Sequence, residues 1–117
     1  MNHKGFTLIE LLATLTILAI LTVIVVPNVF SSINRSKQSA YENQVETIVN
    51  GAKNYYADHA ELLPNSGSSS TVTVGTLKTN NYIDKEIENP KTGETFKNTS
   101  TVKVTNTEEN YKYAFQE

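Results

Sequence analysis

Apolar and polar positions divide this chain sharply. Leu11–Val26 carries no charged side chain, whereas from Asn28 onward the sequence is rich in Asn, Thr, Lys and Glu. Taken as a helix, residues 6–26 measure about 32 Å at about 1.5 Å per residue, which matches the roughly 30 Å hydrocarbon core of a bilayer. Thr14, Thr16 and Thr22 suit such a helix, because a hydroxyl can bond the carbonyl one turn back. The pattern then changes without stopping. Tyr41, Val45, Ile48, Ala52 and Tyr55 recur at spacings of 4, 3, 4 and 3, the period of one helix face. Val49 and Tyr56 widen that stripe. The spacing predicts a second, amphipathic helical half over about residues 28–61, whose stripe packs on a small domain.

Pro64 and the run Asn65–Ser70 predict the helix stop and a flexible loop. Val72 and Val74 alternate with threonines and predict a short extended piece. Gly75–Asn80 predicts one helical turn around Leu77, with Tyr82 and Ile83 as core contacts. Asn89-Pro90-Lys91-Thr92-Gly93 reads as a turn. Alternation predicts strands at Thr101–Thr105 and Tyr111–Phe115, joined by a loop over Asn106–Asn110, with Phe96 on a preceding strand. The expected fold class is α+β: a long N-terminal helix, half transmembrane and half amphipathic, packed on a small antiparallel sheet.

One residue breaks the apolar pattern. Glu10 lies between Ile9 and Leu11, and a carboxylate inside such a segment is costly enough to suggest a function. The spacing of Thr7-Leu8-Ile9-Glu10 also fits a capping box, in which Thr7 caps the helix and Glu10 reaches back to a backbone N–H. An ordinary secretory signal would share the short basic start Met1-Asn2-His3-Lys4. Its apolar region, however, is about 7–15 residues long and ends in a small-residue cleavage site. Here Pro27 and Asn28 follow Val26 instead.

Lys4-Gly5-Phe6-Thr7-Leu8-Ile9-Glu10-Leu11-Leu12, with Pro27 after the apolar run, resembles the N-terminal signature of type IV prepilins and pseudopilins. The Val26-Pro27-Asn28 setting looks especially like pseudopilins of type II secretion and competence systems. The close resemblance covers about Lys4 to Tyr56. It implies cleavage after Gly5 by a prepilin peptidase on the cytoplasmic face, and N-methylation of the new N-terminus at Phe6. The implied division is a leader over 1–5, a transmembrane and assembly helix over 6–27, and an extracytoplasmic pilin-like head over 28–117. The resemblance also assigns roles: Glu10, with Thr7 beside it, to assembly, and Pro27 to a helix break or hinge. Ala19 stands where the family usually has a glycine, and alanine is the better helix former by about 0.8–1.0 kcal/mol. Local melting between Ala19 and Pro27 is therefore less favoured here, and Pro27 reads equally as a plain boundary. Cleavage would create an amine on Phe6, for which Glu10 offers a counter-charge within one subunit or from a neighbour.

Composition narrows the function. The chain has 117 residues, a net charge of −2 and no cysteine. Disulfides, Cys-based zinc sites and thiol chemistry are excluded. Its ten Lys and Arg do not cluster, which argues against a nucleic-acid-binding surface. Asp58, His59 and Glu61 do not share one helix face, so a metal site is not expected there. Asn34-Arg35-Ser36 and Asn98-Thr99-Ser100 match a glycosylation pattern that often arises by chance. With neither a catalytic arrangement nor a phosphate loop, the expectation is a non-enzymatic subunit without cofactor or metal. The implied partners are prepilin peptidase, other copies and companion pilins in a helical filament, the membrane and, indirectly, an assembly ATPase and platform machinery. Adhesion or motility, DNA uptake and protein secretion are the functions such a filament serves. The lack of cysteine and the small head point to a Gram-positive type. The alternative is a membrane-anchored binding or adhesion domain that never polymerises.

Overall fold

The computed structural model describes residues 5–117. The basic start of the expected leader, including His3 and Lys4, lies outside the described residues. The chain falls into two units, residues 1–36 and 37–117.

Helix α1 (Leu8–Asp58) provides the described helical residues of the first unit and enters the second. In the first unit its apolar side chains are exposed, from Leu8 through Val26 to Ile33. The helix is long and apolar enough to cross a membrane. Its threonines behave as the sequence predicts: Thr14, Thr16 and Thr22 donate to the carbonyls of Glu10, Leu12 and Leu18 at 2.9, 2.8 and 2.7 Å. Each hydroxyl is thus satisfied without water, a requirement in lipid.

The second unit has a conventional core. Ile48, Ala52 and Tyr56 of α1 are buried together with Val72, Val74, Leu77, Ile83, Ile87, Phe96, Val102 and Val104. Tyr41, Val45, Val49 and Tyr55 pack at the margin of this cluster, so the whole predicted stripe faces the core. The helix ends earlier than predicted, at Asp58. A single 3₁₀ turn at Ala60–Leu62 follows.

Three antiparallel strands cover the stripe: β1 (Ser69–Thr73), β2 (Thr101–Thr107) and β3 (Asn110–Gln116), in the order β1-β2-β3. Val72 lies opposite Val102, Val102 opposite Phe115, and Val104 opposite Tyr113. This register places the apolar residues of all three strands on one face. Three expectations are corrected. Ser69 and Ser70 belong to β1, not to a loop, because Thr105 and Val104 pair with them. Phe96 is buried but lies on no strand; only an isolated bridge between Glu88 and Thr95 precedes it. The β2–β3 connection is also tighter than predicted, since only Glu108 and Glu109 separate the strands. Neither has the positive φ that favoured two-residue hairpin turns adopt. Thr107 secures the turn instead, its hydroxyl lying 2.8 Å from the Asn110 carbonyl and accepting the Asn110 N–H at 3.3 Å.

Helix α2 (Val74–Thr79) crosses from β1. Thr73 caps it, accepting the Thr76 N–H at 3.1 Å. Its other end closes on Asn81, which has φ 63°. The Asn81 and Tyr82 N–H groups return to the carbonyls of Lys78 and Leu77 at 3.2 and 2.9 Å, the paired bonds of a Schellman ending. That ending delivers Tyr82 and Ile83 to Gly51 on α1. A Cβ on Gly51 would fall 2.5 Å from Ile83 Cγ2 and 3.0 Å from the Tyr82 carbonyl oxygen, so this buried helix position has room only for hydrogen.

Candidate assembly site at the helix amino terminus

Residues Gly5–Thr7 are outside the helix, and α1 begins at Leu8. Gly5 is exposed, and apart from its chain neighbours none of the described residues comes within 4 Å of where its Cβ would stand. Phe6 is 77% exposed. The Gly5–Phe6 peptide bond therefore lies in open, non-helical chain just ahead of a long apolar helix.

Thr7 and Glu10 form a reciprocal pair. The Thr7 hydroxyl accepts the Glu10 N–H at 3.2 Å, and Glu10 Oε2 accepts the Thr7 N–H at 3.0 Å. The first helical bond, from the Leu11 N–H to the Thr7 carbonyl, measures 3.1 Å. Thr7 is thus the cap and Glu10 the third helical residue, the geometry of a capping box. Two donors that the helix cannot satisfy itself are engaged, and the carboxylate lies at the positive end of the helix dipole. The box uses one carboxylate oxygen, Oε2. The capping role anticipated from the spacing is present, and it leaves a second oxygen to accept another donor.

Pro27 lies inside α1, and the helix continues through it. Lacking an N–H, it leaves the Val23 carbonyl without its usual donor four residues on. One residue later, the Asn28 side-chain amide donates to the Ile24 carbonyl at 3.3 Å. Ala19 is likewise helical.

The head also holds polar contacts, some of them at positions named from the sequence. Tyr41 donates its phenol proton to Glu117 Oε1 at 2.6 Å, and Lys91 places its ammonium 4.3 Å from the centre of the Tyr41 ring. The Glu117 carboxylate, with help from desolvation, pushes the Tyr41 hydroxyl up to about 12. The Asn89–Gly93 turn that carries Lys91 is closed by the Gly93 N–H on the Asn89 carbonyl at 2.8 Å, with Gly93 at φ 74°. At the end of α1, Tyr82 donates to Asp58 at 2.7 Å, which raises the Tyr82 phenol above its ordinary value. His59 stacks on Tyr55 with ring centres 4.5 Å apart. Its Nδ1 lies 2.9 Å from the Tyr55 carbonyl, so this histidine closes a helix end. Among the described residues no group of three His, Cys, Asp or Glu is placed to hold a metal ion.

Comparison with known proteins agrees with the amino-terminal geometry. Residues 1–26 match the family model described as the prokaryotic N-terminal methylation motif. The chain is also 30% identical over 90 residues to the ComG operon protein 3 homolog of Bacillus licheniformis, an alignment spanning 77% of this chain and 84% of that protein. No solved structure matches significantly. The exposed apolar helix joined to a small α+β unit, the amino-terminal motif and a relative matched over most of its length converge on one assignment: this chain is a member of the type IV pilin and pseudopilin family.

Proposed function

We propose that the protein is a structural subunit of a pseudopilus-type filament serving DNA uptake. Processing at Gly5–Phe6 by prepilin peptidase leaves residues 6–27 as membrane anchor and assembly helix, with residues 28–117 as the head outside the cytoplasm. The observation that carries this reading is the helix amino terminus. An exposed Gly5–Phe6 bond is followed at once by a capped helix whose only carboxylate in the apolar stretch is Glu10. The DNA-uptake reading rests on the Val26-Pro27-Asn28 setting, which resembles pseudopilins of secretion and competence systems, and is supported by the similarity to the ComG operon protein 3 homolog.

Cleavage and methylation put an amine on Phe6, with a reference pKa of about 7.7–8 before modification. Inside a bundle of apolar helices a lone ammonium is expensive. Glu10 can neutralise it with the oxygen that the capping box leaves over. The pair then fixes the stagger of neighbouring subunits more than it adds net stability, because desolvation offsets much of the attraction. Contacts of this head-to-tail kind do not close on themselves and so permit open helical growth.

Glu10→Gln separates the two jobs of this residue. Glutamine at the third helical position still completes a capping box but carries no charge. The expected result is normal cleavage and a normal head, with sheared filaments and DNA uptake reduced at least tenfold. Filaments at wild-type yield would show that capping alone is the role of Glu10. A protein that stays monomeric in the membrane when processed and accompanied by its machinery would instead support the non-polymerising binding domain.

A further inference from the structure

Lys78 is unusual in this head. It lies on α2 beside the fully buried Leu77 and is itself only 9% exposed. Its ammonium donates to the Phe96 carbonyl at 2.9 Å and to Asn98 Oδ1 at 3.0 Å. Both acceptors are neutral. Buried lysines normally meet a carboxylate, because desolvating an ammonium costs several kcal/mol. Here two dipoles hold the cation in place, neither carries an opposite charge, and among the described residues the third N–H is spent on neither partner.

Lys78 is one wall of a cleft of about 470 Å³ lined by Gly75, Lys78, Thr79, Lys85, Thr95 and Asn98. The lining contains two ammonium groups, two hydroxyls and an amide, and no carboxylate. In a chain of net charge −2, this is a local reversal of sign. The floor is also rigid. The Gly75 N–H is bonded to the Asn98 carbonyl at 3.1 Å and the Val74 N–H to the Ser100 carbonyl at 2.8 Å, so α2 and the 98–100 segment hold their positions together.

We propose that this cleft binds a phosphate-type oxyanion. Lys78 supplies a fixed, partly desolvated charge, and Lys85 at the rim supplies a second cation that closes over the ligand. Thr95 and the Asn98 amide offer further donors to its oxygens. A fixed donor at low local dielectric attracts an anion more strongly than a solvated surface lysine does. Such a ligand would also bridge α2 to the 95–98 segment and stabilise the head by mass action.

The test uses the full chain, ¹⁵N-labelled in a non-ionic detergent, titrated with inorganic phosphate against sodium chloride at constant ionic strength. A parallel arm uses a short single-stranded DNA oligonucleotide. Saturable shifts confined to the amides of Gly75, Thr79 and Asn98 are expected, with affinity at least tenfold weaker in Lys85→Gln. Saturation by phosphate identifies a free anion and saturation by the oligonucleotide alone identifies a phosphodiester; either result supports the site. Lys78→Gln should abolish binding. If that variant fails to fold, Lys85→Gln decides, since its side chain is exposed. The proposal is overturned if neither probe saturates, if Lys85→Gln binds as the parent does, or if the amides of Lys53 and Lys103 shift equally.

Discussion

Gly51→Ala should destabilise the head, although the same change in an open helix would stabilise it. Alanine is the better helix former by about 0.8–1.0 kcal/mol. At position 51, however, the new methyl would stand 2.5 Å from Ile83 Cγ2 and 3.0 Å from the Tyr82 carbonyl oxygen. The carbonyl belongs to the residue whose N–H closes the Schellman ending of α2 on the Leu77 carbonyl, so its freedom to withdraw is limited. Overpacking of this kind costs about 1–3 kcal/mol, which leaves a net loss of about 1 kcal/mol. For a unit of about 80 residues that lowers Tm by about 4–8 °C, measurable by circular dichroism of the full chain in detergent. Ile83→Ala removes the nearer obstacle, so adding Gly51→Ala to it should cost less than adding it to the parent. The reasoning fails if Gly51→Ala alone raises Tm, or if the cost is the same in both backgrounds.

Two other expectations are briefer. Tyr41 should be among the last tyrosines to ionise in an ultraviolet titration, near pH 12, where an unperturbed tyrosine titrates near 10.0. Its folded value is raised, so the folded state holds the proton longer; this contribution to stability is complete below about pH 10 and is lost as pH rises through about 12. Glu117→Gln should move that step downward, and an unchanged titration would refute the Tyr41–Glu117 bond. Gly5→Leu should block processing while the chain still inserts in the membrane; mature protein at normal yield would refute the assigned cut.

How far the sequence reached depended on how local the cause was. The α1 stripe was legible because its apolar contact residues from Tyr41 to Tyr56 repeat with the helix itself. The capping box was legible because Thr7 and Glu10 are three residues apart. β1 was legible only in part: Thr71–Thr73 was read as extended from the alternation of Val72 with threonines, whereas Ser69 and Ser70 carry no apolar signal and acquire strand character from pairing with Thr105 and Val104. Phe96 was expected on a preceding strand that does not form; it is buried because its loop reaches the core beside the Glu88–Thr95 bridge, where Lys78 donates to its carbonyl. Gly51 and Lys78 carried no periodic signal at all. Their surroundings come from Ile83 and from residues 96–98, brought near only by the folded α2 connection.

The processing step remains the most direct test of the account. Intact-mass measurement of the protein recovered from cells that contain the peptidase should show the loss of Met1–Gly5 and the gain of one methyl group on Phe6. A full-length, unmethylated chain under those conditions would contradict the filament-subunit reading.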